Sequence, residues 1–342
     1  MIEIDGSQGE GGGQVLRTAL TLAAITAKPV HLFNVRAHRS KPGLKPQHLK
    51  AVEAVAAITG ARVEGAKLGS QTLSFEPQAI VPGNYRFDIG TAGSVSLVLQ
   101  TVLLPLSFAK EDSHVVITGG THVPWSPCYH YLAWHWLHYL RQAGFRSELA
   151  LDKAGFYPPG GGRISAAIAP AAALAPLTLA KRGALRRIRG LAAVSNLDIG
   201  IAERMRSRAM QQLQDSDVAC DIATEVFDAL SPGAFLLLLA QFEHSQACYY
   251  ALGVRGKPAE VVADEAVGQL QEFLATDGAI DEYLADQLVL PLALTPGVSE
   301  LRTSRVTQHL VTNAGIVKRF LPVAIEISGD IGRPGQVRIH AT

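Results

Sequence analysis

The 342 residues predict an α/β protein, mixed rather than purely alternating: a large domain assembled from repeated units and interrupted by a smaller α/β domain. Three observations carry this reading. Short β-like runs alternate with longer runs of helical period. The order strand-helix-strand-helix-strand-strand occurs twice before residue 169 and resumes near residue 280, which suggests a sheet with two helices on one face in each unit. A composition break at 169–180 (APAAALAPLTLA) sets off the stretch between. The expected boundaries are 1–180 and 280–342 for the large domain and 181–279 for the insertion. The length agrees, since about 150 residues per domain gives about two domains.

The elements follow in order. Ile2 to Ile4 form a short strand, and the turn Gly9 to Gly13 leads into a helix. In that helix Val15, Leu16, Ala19, Leu20, Leu22 and Ala23 recur at helical spacing until Lys28-Pro29 stops it. HLFNVR is the next strand, and Lys41-Pro42-Gly43 turns the chain. A second helix starts at Pro46, carries Leu49, Val52, Val55 and Ile58 on one face, and ends at Gly60. Strands at Arg62 to Glu64 and Thr72 to Phe75 close the first unit. The second unit runs through YRFDIG, the turn TAGS, a long helix to about Ala109, HVVITGG, a helix HYLAWHWLHYLRQAG and two strands to about Ile168. The insertion reads as a basic strand, a helix around Ile201 to Leu213, strands FLLLL and CYYALGV, and a helix from Pro258 to about Leu274. EYLADQLVLPLAL, SELRTSRV, HLVTNAGIVKRFL, AIEI and VRIH then resume the pattern as helix, strand, helix, strand, strand.

Composition narrows the function classes. Hydrophobic residues at 48% and charged residues at 18% exclude a mainly disordered chain. Net charge is +1, so any polyanion must be held by a local patch. Two acid-free basic runs exist, RAHRSKPGLKPQHLK at 36–50 and KRGALRRIR at 181–189; ordinary solvated surface is the competing explanation for both. Three cysteines are too few for a disulfide framework. The acidic start MIEIDGSQGE has no hydrophobic leader core, and Ala92 to Ala109 contains Ser94, Ser96, Gln100 and Pro105, which suits a buried helix. The expectation is a soluble cytoplasmic protein with no membrane contact.

Familiar phosphate loops are missing: there is no Walker A and no GxGxxG, nor a G-x-S-x-G elbow. EGGGQ (Glu10 to Gln14) nevertheless lies just before a helix, where backbone N–H groups and the positive helix end favour an anion. A plain glycine turn explains the same residues. Gln14 and Arg17 are three apart and share a helix face; Arg17 sits in an apolar run and needs an anionic partner, internal or bound. Arg36 and Arg39 lie where a strand gives way to a helix, an edge that suits bidentate phosphate binding. His309 stands at a helix start, where the dipole disfavours imidazolium and keeps the ring available as a nucleophile or base; a capping histidine fits too. His122, Cys128, His130, His135 and His138 match no zinc spacing and read better as an aromatic core helix with polar edges.

Together these segments resemble the RNA 3'-terminal phosphate cyclase family over essentially the full length. The matching blocks are DGSQGEGGGQVLRTAL, VRAHRSKPGLKPQHL, IGTAGSVSLVLQTVL, GFYPPGGG, EYLADQLVLPLAL and HLVTNAGIVKRFLP. The resemblance implies three repeated β-α-β-α-β-β units, similar to the C-terminal domain of translation initiation factor three, with the smaller domain inserted before the last. It implies an ATP-dependent reaction through a histidyl-AMP and an RNA-(3')pp(5')A intermediate, ending in a 2',3'-cyclic phosphate. By resemblance His309 is the nucleophile and Glu10 a ligand for Mg²⁺ or Mn²⁺. Gln14, Arg17, Arg36, Arg39 and Gln47 fall at the phosphate wall. Gln100 and the run Tyr283, Leu284, Ala285, Asp286 and Gln287 fall at nucleotide-binding positions. The implied partner is an RNA with a 3'-phosphate end, with no obligate protein partner. A noncatalytic branch of the family, which acts in ribosome assembly, lacks the histidine; His309 argues against that alternative. A carboxyvinyl transferase of related architecture is a third reading, without signature residues here. The loop 119–127 departs from the family pattern at His122 and Trp125 and is expected to border the nucleotide pocket.

Overall fold

The computed structural model of the chain describes residues 1–9, 11–214 and 218–342. It is a mixed α/β architecture with four four-stranded sheets. One sheet orders β1 (Ile2–Asp5), β2 (Val30–Phe33), β4 (Leu73–Glu76) and β3 (Arg62–Glu64), the first pair parallel and the others antiparallel. Another orders β5 (Asn84–Asp88), β6 (Ser113–Gly119), β8 (Gly162–Ala169) and β7 (Arg146–Lys153) with the same polarities. A third orders β9 (Thr178–Leu179), β14 (Gly297–Thr303), β16 (Gly335–Ala341) and β15 (Ala324–Ser328), again one parallel pair and two antiparallel.

Parallel neighbours require a crossover. Helix α1 (Gly13–Thr26) supplies it between β1 and β2, and α3 (Val95–Ser107) between β5 and β6. Between β9 and β14 the crossover holds α8 (Glu282–Ala293) and, before it, the whole fourth sheet. That sheet orders β11 (Ala219–Val226), β10 (Leu185–Ser195), β12 (Gly233–Phe242) and β13 (Gln246–Leu252), with helices α6 (Gly200–Leu213) and α7 (Ala259–Leu274). The break in the third sheet thus falls after β9, because β9 pairs with β14 across the insertion. A two-residue strand inside an alanine- and proline-rich stretch leaves no periodic signal.

Strand alternation explains the apolar run in β12. Leu236 and Leu238 join a core with Val262 and Leu270 of α7, while Leu237 and Leu239 face the large core. β11 carries mostly exposed or half-buried residues, so its sequence lacks a strand's apolar face.

Local chemistry sets the helix ends that matter for the site. In α2 (Pro46–Thr59), proline opens the helix and Gly60, at φ 59°, closes it. Ser94, Asp281 and Thr307 cap α3, α8 and α9 (Gln308–Phe320) by accepting from the N–H of Leu97, Leu284 and Leu310. The aromatic helix predicted at 130–144 is three pieces: α4 (Tyr129–Tyr131), a π-helical turn Leu132–Trp136, and α5 (Leu137–Gln142). Among the described residues no helix is long and apolar enough to cross a membrane.

Candidate active site

The N-terminal ends of α1, α2 and α9, one face of α3 and α8, the loop 124–127 and strand β13 surround a cavity of about 1010 Å³. Its size is at the upper end for a small-molecule site. Gln14, Arg17, Arg36, Arg39, Gln47, Gln100, Tyr283, Asp286, Gln287 and His309 all line it. These residues come from segments nearly 300 positions apart, so the fold collects what the sequence scatters.

The glycine turn makes this convergence possible. A Cβ at Gly9, where φ is +60°, would lie 1.9 Å from Thr312 Oγ1 of α9. A Cβ at Gly13 would lie 2.2 Å from His48 Nε2 of α2. Glycine alone lets the start of α1 approach both helices.

At the centre, His309 Nδ1 is 2.7 Å from Gln14 Oε1, and Gln14 Nε2 donates to Asp286 Oδ1. An amide oxygen can only accept, so Nδ1 carries the imidazole proton and the neutral ring has its lone pair on Nε2. Asn313 Nδ2 donates to the Asp286 carbonyl at 2.9 Å and its Oδ1 accepts from Thr18 Oγ1 at 2.8 Å, locking α1, α8 and α9 together. Burial pushes the Asp286 carboxyl above its ordinary range, opposed by His309, Gln14, Asn313 and Arg17. Burial lowers Arg17 to about 10, which keeps it charged, with Asp286 opposing the shift. His48 falls to about 3 through burial and the charges of Arg17, Arg36 and Lys45, so it is a neutral wall. Its Nδ1 accepts from the Lys45 N–H at 3.2 Å.

The remaining predicted residues divide by task. Arg36 Nη1 donates to the carbonyls of Lys41 and Gly43 at 2.9 and 2.8 Å, so part of its guanidinium holds its own loop. Gln47 Oε1 accepts from the Ser94 N–H at 3.0 Å and ties α2 to the start of α3. Gln100 Nε2 donates to Gln287 Oε1 at 2.6 Å, and Gln287 Nε2 donates to the Tyr283 carbonyl at 2.9 Å. Tyr283 is half exposed on the cavity wall. Leu284 and Ala285 correct the reading of the run as one site: both are fully buried in the core. A helix turns residues one position apart by about 100°, so only Tyr283, Asp286 and Gln287 share the cavity face. Glu10 lies outside the described residues.

Asp281 was missed by sequence reasoning. Fully buried, it accepts from Tyr131 Oη at 2.8 Å, His135 Nε2 at 2.6 Å and the Cys248 N–H at 3.3 Å, besides capping α8. It fixes the helix that carries Tyr283, Asp286 and Gln287 against the helical segment 129–142 and strand β13. The one legible signal was an aspartate just before a helix.

Two other sequence candidates go elsewhere. His122 does not face the cavity; its ring lies 4.4 Å from that of Phe235 and its Nε2 is 2.9 Å from His130 Nδ1. Among the described residues no three His, Cys, Asp or Glu side chains gather as a metal site. In the basic run 181–189, Arg182 donates to carbonyls at the end of α7, Arg186 pairs with Glu243 at 3.0 Å, and Arg189 lies over the Trp134 ring at 4.0 Å.

Comparison with known proteins supplies a family. A family model described as RNA 3'-terminal phosphate cyclase matches residues 8–327. The chain is 46% identical to a protein of that name from Methylococcus capsulatus, covering 99% of this chain and 96% of that protein. It is 45% identical to one from Ralstonia nicotianae (96% and 94% covered) and 40% identical to one from Pyrococcus furiosus (99% and 98% covered). Among solved structures, the enolpyruvyl transferase NikO of Streptomyces tendae is similar at a TM-score of 0.39 and 12% identity, over 100% of this chain and 48% of that one.

Proposed function

The chain belongs to the RNA 3'-terminal phosphate cyclase family of enzymes, and on that premise we propose that it uses ATP to close an RNA 3'-phosphate onto the neighbouring 2'-hydroxyl. The observation that carries the reading is the Asp286–Gln14–His309 chain opening on a cavity that Arg17, Arg36 and Arg39 line.

His309 Nε2 attacks the α-phosphorus of ATP, a P–N bond forms, and the P–O bond to pyrophosphate breaks. The imidazole gains positive character as it does so. Gln14 Oε1 holds the Nδ1 proton, and Asp286 behind it compensates the charge. An oxygen of the RNA 3'-phosphate then attacks the same phosphorus and releases the histidine, giving RNA-(3')pp(5')A. The 2'-hydroxyl oxygen attacks the terminal RNA phosphorus; a P–O bond forms, the P–O bond to AMP breaks with its electron pair leaving on AMP, and the hydroxyl proton passes to solvent. Arg17 and Arg39 stabilise charge that grows on phosphate oxygens, and this works best in a cavity walled by neutral groups such as His48. Gln100, Gln287 and Tyr283 hold the nucleoside.

A Mg²⁺ or Mn²⁺ ion fits a donor set of Glu10 and phosphate oxygens, because such hard ions bind few carboxylates and several phosphate or water oxygens. It would neutralise triphosphate charge. The three sheets of like order support a reading as three copies of a β-α-β-α-β-β unit, similar to the C-terminal domain of translation initiation factor three. On this reading 1–180 and 280–342 form the large domain and 181–279 the insertion. The partner is an RNA 3'-phosphate end and the setting the cytoplasm.

Intact-protein mass spectrometry after incubation with ATP and Mg²⁺ or Mn²⁺ tests the reading. A gain of one AMP is expected, lost in His309→Ala and discharged by RNA 3'-phosphate. No adduct with either metal would reject it in favour of a noncatalytic RNA-binding role.

A further inference from the structure

Trp125 is the most exposed large hydrophobic residue among those described, at 97% relative exposure, and it lies on the wall of the catalytic cavity. Its backbone is left-handed, with φ at 64°. A bulky side chain is rare there; glycine or asparagine would fit without strain. The loop that holds it is nonetheless fixed. Val123 and Cys128 on either side are buried, Ser126 Oγ donates to the Val123 carbonyl at 3.3 Å, and Tyr250 of β13 donates its hydroxyl to the Ser126 carbonyl. A fixed, strained turn therefore holds an indole out in solvent on the wall of the cavity that His309 also lines.

We propose that Trp125 is a stacking platform for the terminal nucleobase of the RNA whose 3'-phosphate reacts at His309. The proposal rests on the cyclase reading. That reaction brings two ligands to one cavity. The nucleotide can be enclosed, but the RNA is a polymer and must leave through the mouth. An aromatic face that protein leaves uncovered at the mouth meets the polymer. Stacking on an aromatic ring is how proteins hold single-stranded ends without reading sequence, since every base has a π-face. The platform would therefore favour a base at the terminal position and show little preference among the four.

The test uses the full-length protein and 3'-phosphorylated oligoribonucleotides. Titration of the wild type should quench tryptophan emission, and Trp125→Phe should lose that quench while Trp134 and Trp136 still report. In Trp125→Asn, chosen because asparagine tolerates the left-handed backbone, KM for the RNA should rise about tenfold, the factor that about 1.4 kcal/mol of stacking corresponds to. The effect on RNA KM should exceed any effect on AMP uptake without RNA, and Trp125→Phe should restore KM. An oligonucleotide abasic at its terminal ribose should cost the wild type the same factor and Trp125→Asn nothing. Slower AMP uptake with RNA KM unchanged would move the indole onto ATP and overturn the proposal. Equal discrimination against the abasic end by wild type and variant would overturn it too. A wild type quenched by RNA that takes up no AMP would remove the cyclase reading and leave the platform standing.

Discussion

Two histidine sites in this molecule lie in different chemical worlds. His309 sits at the second position of α9, and its Nδ1 is bonded to an amide oxygen. His122 and His130 are buried among Phe156, Phe227 and Phe235. There the Thr121 hydroxyl accepts from the Gly155 N–H at 2.8 Å and also lies 2.8 Å from His122 Nδ1. His122 Nε2 in turn lies 2.9 Å from His130 Nδ1, within hydrogen-bond distance. Burial and the neighbouring His130 push His122 well below its ordinary value, and burial with Arg189 lowers His130 to about 4. On the proposed mechanism, this contrast is what separates a reactive histidine from a structural one. In the buried pair both nitrogens of His122 are committed to the protein. At His309 the protein commits Nδ1 to set the tautomer, and the chemistry needs the other nitrogen.

The largest effect that would break this contrast comes from the tautomer chain. Gln14→Leu removes the acceptor for the Nδ1 proton, and Asp286→Asn removes the charge behind it. Each should slow adenylylation by up to about 10⁴-fold, the size seen when the group orienting a catalytic histidine is lost. The AMP-protein mass should still appear at long times, unlike in His309→Ala. Unchanged single-turnover rates in both variants would show that the chain does not set the reactive tautomer.

Acid should act through the neutral imidazoles. His48, His122 and His130 all have folded pKa values below the ordinary 6.5, so the unfolded chain binds more protons below that pH. Their stabilisation is complete above pH 6.5 and is lost as pH falls toward the folded values. At pH 5 His48 and His130, with folded values of about 3 and about 4, each cost on the order of 2 kcal/mol, and His122 acts in the same direction. Asp286 has the opposite sign, because its raised value makes the folded chain the better proton binder. One carboxyl against three imidazoles leaves a net loss. Denaturant midpoints should fall clearly between pH 7 and pH 5; a flat profile would contradict the neutral assignments.

How much of this was legible in the sequence depended on how local each feature is. The helix start at Pro46 and the stop at Gly60 are decided within a few residues and stand where the pattern put them, and helices follow the turn TAGS and run through HLVTNAGIVKRFL as read. His309 at a helix start was legible for the same reason. The bond between Gln14 and Asp286 spans 272 positions, and no periodicity reports it. The motif run Tyr283 to Gln287 marked the right helix but could not say which side chains face inward. Asp281 showed only its cap, while Tyr131, His135 and Cys248 reach it from two other segments. The strand β9 is too short to leave a signal, and the exposed β11 lacks one face of the usual pattern.

A smaller effect would sharpen the contrast from the structural side. His130→Ala leaves His122 Nε2 buried without its hydrogen-bond partner and should cost about 1–3 kcal/mol of stability for that group, with a further loss for the emptied ring volume. It should also flatten part of the acid profile, since one of the three imidazoles is gone. AMP uptake at His309 should stay near wild type, because the pair lies outside the cavity wall.

The smallest expected effect lies back in the cavity, at the pair Gln100 and Gln287. Their bond crosses from α3 to α8 at 2.6 Å, and both side chains line the site. Gln287→Ala removes the partly buried neutral bond to Gln100, worth about 1 kcal/mol, together with an exposed one to the Tyr283 carbonyl. If these amides hold the nucleoside rather than the reacting phosphates, the loss should appear as a several-fold rise in KM for ATP with the adenylylation rate at saturation unchanged. The pairing also makes a prediction about additivity. The two residues share one bond, so Gln100→Ala combined with Gln287→Ala should cost less than the sum of the single variants. A fall in the saturated rate would place the pair at the phosphate instead, and would bring α3 into the same task as Gln14 and Asp286.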